Sequence, residues 1–231
     1  MFDIENVKWK RRTWIKAAAS PDTFRKNWLL EDCQDVAPEV MADIKRWLEG
    51  ARDGKIIKSN DSIACGKGLI LYGKPGRGKT TIAMAILNEI ATTFSLQSLG
   101  AGAQDNLIRP VYFTTLDKFI SLKSLTMSKD MTPSEETLYY GLLGEALNDA
   151  YNVRVLVLDD LGKEHIGPTG WQKSLLHQLL RSRHSQGLPT IITSNVPVDN
   201  WAPIYGDATE SFAREAFAYV PVDSDKGDLR K

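Results

Sequence analysis

The stretch that most constrains this chain is a short apolar run at residues 68–72, which opens directly into the pattern G-x-x-x-x-G-K-T. A buried strand, this loop and a helix, in that order, form the phosphate loop or Walker A motif. The glycines let successive N–H groups point inward at the phosphates of a nucleotide, and Lys79 adds a positive charge there. The candidate nucleotide-binding residues are Gly73, Lys74, Pro75, Gly76, Arg77, Gly78, Lys79, Thr80 and Thr81.

The residues after the loop keep the apolar spacing of a helix. The phosphates would therefore meet a helix N-terminus, where the dipole favours anions. The Thr80 hydroxyl, at the start of this helix, is placed to ligate Mg²⁺. The alternative is an ordinary glycine-rich turn that matches the pattern by chance. The order of strand, motif and helix favours a nucleotide site.

The composition excludes several classes of protein. With 231 residues, of which 42% are apolar and 25% charged, the chain suits one globular α/β domain. No apolar run approaches the roughly 20 residues that cross a membrane, and the N-terminus lacks the layout of a signal peptide. Cys33 and Cys65 have no metal-site spacing and suit a reducing compartment, so we expect a cytoplasmic protein. Because the net charge is zero, any DNA binding must come from local patches.

A second chemical feature is the segment VRVLVL at residues 153–158, whose last four residues are apolar and which is followed by Asp159 and Asp160. An apolar strand that ends in two carboxylates is the Walker B pattern. Asp159 would hold Mg²⁺ through water, and Asp160 would orient or deprotonate the attacking water. A strand that merely ends in an acidic residue is the alternative, and the Walker A motif in the same chain argues against it.

A further predicted strand, residues 188–195, ends in Asn195, whose amide could contact the γ-phosphate or the attacking water. The alternative is an Asn in an ordinary turn. Strands alternate with amphipathic helices along the chain, which predicts an α/β fold with a parallel sheet and ligands at the carboxyl ends of its strands. The predicted strands cover residues 68–72, 110–115, 153–160, 188–195 and 218–222. The predicted helices cover residues 38–52, 82–94, 116–127, 132–150, 170–186 and 207–217.

The most basic stretch is residues 1–20, where cations surround two tryptophans. With rings for stacking and cations for phosphates, this arm could contact nucleic acid or dock on a partner protein. The alternative is a solvated arm whose tryptophans fold back on the core. The cations are Lys8, Lys10, Arg11, Arg12 and Lys16, and the tryptophans are Trp9 and Trp14. We therefore divide the chain into a basic arm, residues 1–20, and a nucleotide-binding domain, residues 21–231.

Two continuous segments carry a resemblance to a known family. Residues 156–164 read LVLDDLGKE, and residues 188–195 read LPTIITSN. The first is similar to the Walker B strand and Leu-Gly-x-Glu extension of bacterial and phage AAA+ ATPases of the DnaC/IstB class, and the second to their sensor 1 strand. That class contains replicative-helicase loaders and transposition helper ATPases. The resemblance covers residues 20–231.

The resemblance implies a particular fold and reaction. The fold is the AAA+ form of the P-loop α/β fold, a three-layer sandwich with about five parallel strands and no full C-terminal lid domain. The reaction is Mg²⁺-dependent ATP hydrolysis that assembly stimulates, with Asp160 and Asn195, the sensor 1 residue, in catalysis. The segment SFAR resembles the short helix that carries the arginine finger of the family, here Arg214. The segment KGDLR resembles the ending that carries the sensor 2 arginine, here Arg230.

The resemblance also implies partners: other copies of the chain through AAA+ interfaces, DNA with single strands favoured over double strands, and a replicative helicase or a transposase. Residues 116–150 match, by region, paired helices that help related proteins contact single-stranded DNA. The side chains available there are Lys118, Phe119, Lys123, Ser124 and Lys129.

Two alternative functions stay open. The first is a transposition helper ATPase that coats double-stranded DNA, and the second is a P-loop kinase of a small metabolite. Helicase loaders usually carry a separate helicase-binding region before the ATPase part, whereas only the short basic arm precedes it here. This strengthens the transposition alternative, but the expected function stays that of an ATPase that assembles on DNA and loads or remodels a replicative helicase in DNA replication. The strand that ends in Thr-Ser-Asn and the arginines near the C-terminus favour either AAA+ function over a kinase.

Overall fold

The fold is built on a parallel β-sheet. The structure, a computed structural model, describes residues 4–19, 21, 28–33, 38–57, 65–102, 106–162 and 170–222. The strands found in these residues are β1 (Gly68–Tyr72), β2 (Val111–Thr115), β3 (Val155–Leu161), β4 (Thr190–Ser194) and β5 (Phe217–Pro221). All neighbouring pairs are parallel, in the order β2-β3-β4-β1-β5. The predicted α/β fold with five parallel strands is confirmed.

Helices cover both faces of this sheet. They are α1 (Ile4–Ala17), α2 (Pro38–Arg52), α3 (Lys79–Thr93), α4 (Leu116–Ser128), α5 (Pro133–Leu143), α6 (Trp171–Ser185), α7 (Ala202–Tyr205) and α8 (Asp207–Ala216). Successive side chains of a strand point to opposite faces. Leu69 and Leu71 therefore lie in a core shared with α1, α2 and α3, whereas Ile70 lies in a second core with α4 to α8. The predicted three-layer sandwich is confirmed.

Helix α5 begins as predicted but ends earlier. Thr132 and Glu135 form the predicted capping box: the Glu135 N–H donates to Thr132 Oγ1 at 3.3 Å, and the Thr132 N–H donates to Glu135 Oε2 at 2.8 Å. The prediction that the helix continues to about residue 150 is wrong. The helix ends at Leu143 because Gly144 adopts the left-handed conformation, with φ of 81°.

One side chain suggested for DNA contact belongs to the core. Phe119 of α4 is fully buried and stacks on Tyr139 of α5, with ring centroids 5.5 Å apart. Lys123 Nζ lies 5.3 Å from the centre of the same Tyr139 ring. Phe119 holds the two helices together and cannot stack on a base, so its suggested DNA role is wrong. Lys118 and Lys129 are exposed.

The basic N-terminal stretch forms a helix on the domain. Trp14 of α1 is buried, and its Nε1–H donates to the carbonyl of Leu107 at 2.9 Å. Just after this helix, the carbonyl of Ala18 accepts the N–H of Phe113, in the edge strand β2, at 2.7 Å. Trp14 therefore folds back on the core, whereas the side chain of Trp9 lies outside what the structure describes. None of the helices in the described ranges has the length and hydropathy that a membrane crossing requires.

Candidate nucleotide-binding site

The loop that joins β1 to α3 depends on glycine at its first residue. Gly73 has φ of 151°, and a Cβ there would lie 2.4 Å from the carbonyl oxygen of Val222. Its N–H donates to the carbonyl of Ser194 at the end of β4, at 3.2 Å. Gly78, with φ of 81°, precedes the first residue of α3. Both glycines therefore adopt backbone conformations that other residues rarely take, and these conformations fix the loop at the carboxyl end of the sheet.

Lys79 is the first residue of α3, and its side chain turns back under the loop. It is 7% exposed. Its Nζ donates to the carbonyl of Gly73 at 2.7 Å, to that of Lys74 at 2.8 Å and to Asn195 Oδ1 at 2.8 Å. The ammonium is thus held at one place between the loop and the end of β4. A fixed cation at this place suits the charge of nucleotide phosphates.

The carboxyl end of β3 carries a β-bulge. Between two regular pairs of the β3–β4 ladder, Asp159 and Asp160 together lie opposite Thr193 alone. Asp160 adopts a left-handed conformation with φ of 61°, which is uncommon for a residue other than glycine. In a regular strand these two neighbours would point to opposite faces of the sheet. The bulge gives the Asp160 side chain a new direction.

Thr193 contacts both residues of the bulge. Its Oγ1 accepts the backbone N–H of Asp160 at 2.8 Å and donates to Asp159 Oδ1 at 2.6 Å. After the bulge, the hydroxyl of Ser194 donates to the carbonyl of Leu161 at 3.0 Å, which ties the two strands together again. Side-chain hydroxyls therefore supply contacts that the backbone ladder does not make here.

Asn195 connects the phosphate loop to the end of β3. Its Oδ1 accepts from Lys79, and its Nδ2 donates to Asp160 Oδ1 at 3.1 Å. The structure thus brings together Lys79, Asp160 and Asn195, which the sequence predicts as site residues in three separate segments. The arrangement offers a cation, an amide and a carboxylate along one short path.

The donor set suits Mg²⁺ that arrives with a nucleotide. Thr80 is the second residue of α3, beside the buried ammonium of Lys79, and Asp159 lies at the end of β3. In the described ranges, no three His, Cys, Asp or Glu side chains lie together as a metal site of their own. Mg²⁺ in phosphate-transfer sites usually takes only one or two protein ligands plus phosphate oxygens and water. The residues present fit that mode of binding.

Of the two predicted arginines, the structure describes Arg214, which does not contact Lys79, Asp160 or Asn195 in the contacts given above. Arg214 lies on α8 with half of its side chain exposed, and it contacts Glu210 at 2.7 Å and Asp199 at 3.0 Å. The pKa of Glu210 is lowered, first by a hydrogen bond from the backbone N–H of Ala202 and then by that from Arg214. Arg230 lies outside the described residues, as do residues 163–169 after the bulge.

Sequence reasoning missed Thr193. Of residues 188–195, the sequence predicts only the last, Asn195, as a site residue. Thr193 lies two residues before Asn195 in the predicted strand 188–195, and the alternation of a strand would place these two side chains on the same side. This spacing is the signal that points to Thr193, but the contacts themselves depend on the bulge in β3.

The fold and the site define a class of protein. A three-layer α/β sandwich with a phosphate loop after β1, two carboxylates at the end of β3 and an amide after β4 is an ATP-binding P-loop protein of the AAA+ type. The profile of the family described as IstB-like ATP binding protein matches residues 48–213, well over half of the chain. The chain belongs to this IstB-like family and is a DnaC/IstB-like AAA+ ATPase.

Individual relatives agree with this membership. The replicative helicase loader DnaI of Bacillus subtilis (strain 168) is 31% identical over 144 residues, which are 62% of this chain and 38% of that relative. The crystal structure of the DnaC helicase loader matches with a TM-score of 0.54 at 26% identity, over 80% of this chain and 89% of that one. A DnaI crystal structure matches with a TM-score of 0.55 at 22% identity, over 84% of this chain and 90% of that one, and this likeness concerns the fold alone. The chain thus spans less than two thirds of the length of the helicase loader DnaI.

Proposed function

We propose that this chain binds ATP at the phosphate loop and hydrolyses it with Asp160 beside the attacking water. The observation that carries the proposal is the hydrogen-bonded path from Lys79 through the amide of Asn195 to Asp160. One end of the path is a cation that can neutralise phosphate charge, and the other is a carboxylate that can accept a proton. The bulge in β3 directs the Asp160 carboxylate toward Asn195 and Lys79. A loop that only binds phosphate would not need a carboxylate at this place.

Each side chain of the path has its own task in the proposed reaction. Lys79 neutralises charge on the β- and γ-phosphate oxygens, and Asn195 orients the γ-phosphate or the water. Asp160 accepts a proton from the water while the oxygen of the water bonds to the γ-phosphorus. At the same time the bond from that phosphorus to the β–γ bridging oxygen breaks, and ADP leaves. Mg²⁺, when bound, supplies further neutralisation of phosphate charge. Thr80 would hold it directly, and Asp159 would hold it through water.

We further propose that subunits assemble through AAA+ interfaces on DNA, with single strands favoured, and load or remodel a replicative helicase. Similarity to proteins that are named as helicase loaders supports this role. The exposed cations Arg12 and Lys16 on α1 and Lys118 and Lys129 at the two ends of α4 are available for DNA phosphates. Arginine from a neighbouring subunit, assigned to Arg214, would complete the site.

A second candidate is a transposition helper ATPase that coats double-stranded DNA. Its support is the match of residues 48–213 to the family described as IstB-like ATP binding protein, since the DnaC/IstB class that the sequence resembles also contains transposition helper ATPases. The two candidates share the ATP site and differ in the DNA and in the partner. A preference for single strands and copurification with a helicase support the first, and a preference for duplex DNA with transposase binding supports the second.

Steady-state ATP hydrolysis tests the shared part of the proposal. Phosphate release by the purified chain should require Mg²⁺ and should rise when DNA allows subunits to assemble. Asp160→Asn is the negative control for contaminating ATPases, since it keeps the site's shape without the base. Tight ATP binding without any turnover, with or without either form of DNA, would overturn the enzymatic assignment.

A further inference from the structure

We propose that Thr193 is a positioning residue, whose hydroxyl sets the direction of both carboxylates at the end of β3. The inference rests on the proposed ATP hydrolysis and adds a residue to that site. Its basis is geometric: one oxygen atom contacts Asp160 through the backbone N–H and Asp159 through the carboxylate. Thr193 would touch neither nucleotide nor water, and it acts through its two neighbours.

The first contact stabilises the bulge. A bulge leaves one residue of the longer strand without a regular backbone partner. In this bulge the backbone N–H of Asp160 donates to Thr193 Oγ1 at 2.8 Å, so the hydroxyl holds the backbone of the bulge directly. Thr193 is only 1% exposed, so solvent is not at hand to replace its hydroxyl. Because left-handed backbone is unfavourable for Asp160, the bulge persists only where its surroundings hold it.

The second contact fixes the other carboxylate. The hydroxyl of Thr193 donates to Asp159 Oδ1, with the two oxygens 2.6 Å apart, which is a short hydrogen bond. A single hydroxyl therefore accepts from one acidic residue and donates to the next. Serine has the same two capacities, whereas valine keeps the shape and buried volume of threonine and has neither.

Loss of the hydroxyl should affect turnover more than nucleotide binding. The contacts of Lys79 with the loop carbonyls do not involve Thr193. In contrast, the bond from Asn195 to Asp160 depends on the direction that the bulge gives to the Asp160 side chain. A relaxed strand end would move this carboxylate away from the amide and from the attacking water, while the phosphate loop stays intact.

The experiment compares Thr193→Val, Thr193→Ser and Thr190→Val. Thr190 is also a buried threonine of β4, but its hydroxyl contacts Arg183, near the other end of the strand. Three quantities are measured for each: exchange of the Asp160 amide hydrogen without nucleotide, the Kd for ATP with Mg²⁺, and kcat. For Thr193→Val we expect exchange about tenfold faster, a kcat at least about tenfold lower and a Kd within about threefold of wild type.

Thr193→Ser should restore the slow exchange and most of kcat, and Thr190→Val should keep both even if it unfolds at a lower denaturant concentration. Unchanged exchange at Asp160 in Thr193→Val overturns the proposed contact, whatever the activity. Equal loss of kcat in Thr193→Val and Thr190→Val reduces Thr193 to a structural residue and also overturns the proposal. A wild-type protein without turnover overturns the proposed hydrolysis instead, and the exchange comparison, made without nucleotide, then decides the contact separately.

Discussion

Lys79 and Asn195 lie 116 positions apart in the sequence, and a hydrogen bond of 2.8 Å joins the ammonium of the first to the amide oxygen of the second. Lys79 follows β1 and Asn195 follows β4, and the parallel pairing of these two strands brings their carboxyl ends together. Nucleotide phosphates compete with the amide and the loop carbonyls for the same ammonium. We therefore expect Asn195 to respond directly to the presence of a γ-phosphate.

Removal of the ammonium should cost most of the ATP affinity. In Lys79→Ala we expect the Kd for ATP to rise roughly 10- to 150-fold, since a hydrogen bond to a charged group contributes about 1.5–3 kcal/mol. Calorimetric titration measures this change. Lys45→Ala, which removes an exposed lysine of α2, is the control and should leave the Kd unchanged. Unaltered affinity in Lys79→Ala would refute the Walker A assignment.

The amide variant of Asp160 should separate binding from chemistry. Asp160→Asn keeps an oxygen that can accept from Asn195, but it lacks the proton acceptor. We expect ATP affinity near that of wild type and a kcat lower by about 10²–10⁴. Single-turnover hydrolysis and ATP titration give the two quantities, and the variant should accumulate the ATP-bound assembly. Wild-type turnover would mean that another carboxylate activates the water, and Glu164 would be the next to change.

Local patterns were sufficient for most of the fold. The apolar run at residues 68–72 coincides with β1, because a parallel strand buried on both faces has no polar alternation to obscure it. A general rule places the acidic residues at the end of β3 and the amide after β4 in one site, since the carboxyl ends of parallel strands share an edge. The rule predicts that Asp160 and Asn195 are neighbours, and they are in contact.

Features that depend on distant contacts were not predicted. The bulge at Asp159 and Asp160 is a feature of the pairing of β3 with β4 and contacts the Thr193 hydroxyl, and the order of residues in β3 does not reveal it. In the same way, Phe119 has an aromatic ring that could stack on a base, and only the packing of α5 against α4 makes it part of the core. Arg183 lies in the last turn of α6, where a cation suits the helix dipole at the surface, yet it is fully buried.

Arg183 should be essential for stability. Its guanidinium donates to the carbonyl of Leu142 at 2.7 Å, to that of Pro189 at 3.0 Å and to Thr190 Oγ1 at 3.0 Å. Burial, and secondarily the nearby Arg154, lowers the pKa of Arg183 to about 9, which leaves it charged at neutral pH. Lysine cannot reach all these acceptors from one ammonium.

We therefore expect Arg183→Lys to lower the free energy of unfolding by about 3 kcal/mol or more, as measured by urea denaturation. Arg46→Lys is the control, because Arg46 is exposed and pairs with Asp43 at the surface, where ion pairs contribute about 0–1 kcal/mol. A loss below about 1 kcal/mol in Arg183→Lys would mean that its hydrogen bonds are readily replaced.

The basic N-terminal stretch should contribute to DNA binding through its exposed cations. Arg11 is tied to the domain, since its Nη2 donates to the carbonyl of Phe94 at 3.2 Å and burial lowers its pKa. Arg12 and Lys16 are exposed. The double variant Arg12→Ala/Lys16→Ala should lower the slope of log affinity against log salt concentration by about 2, at roughly one per phosphate contact.

Fluorescence anisotropy with a single-stranded oligonucleotide at several salt concentrations gives this slope. Lys45→Ala/Arg46→Ala, which removes the same charge from α2, is the matched control and should leave the slope unchanged. If the slopes of the two double variants do not differ, the basic stretch serves protein docking or folding.

Substitution of Arg214 should show whether catalysis needs a neighbouring subunit. The side chain is half exposed and pairs with Glu210 and Asp199, contacts that contribute little at a surface. Arg214→Ala should therefore fold and bind ATP as a monomer. If it supplies a cation to the site of a neighbour, the variant should lose turnover that DNA or a partner stimulates. Arginine fingers contribute on the order of 10³–10⁵ in rate in GTPase systems, which sets an upper bound here.

Mixing experiments distinguish help from a neighbour from an effect within one subunit. Lys79→Ala subunits keep Arg214, and Arg214→Ala subunits keep an intact phosphate loop, so a mixture of the two should recover part of the activity that each lacks alone. Arg46→Ala is the matched control, since Arg46 is an exposed arginine on α2 that pairs with Asp43. A mixture that stays inactive, although both variants fold and assemble, rules out Arg214 as a finger in trans. Arg181 would then be the remaining candidate on α6, because Arg183 is fully buried.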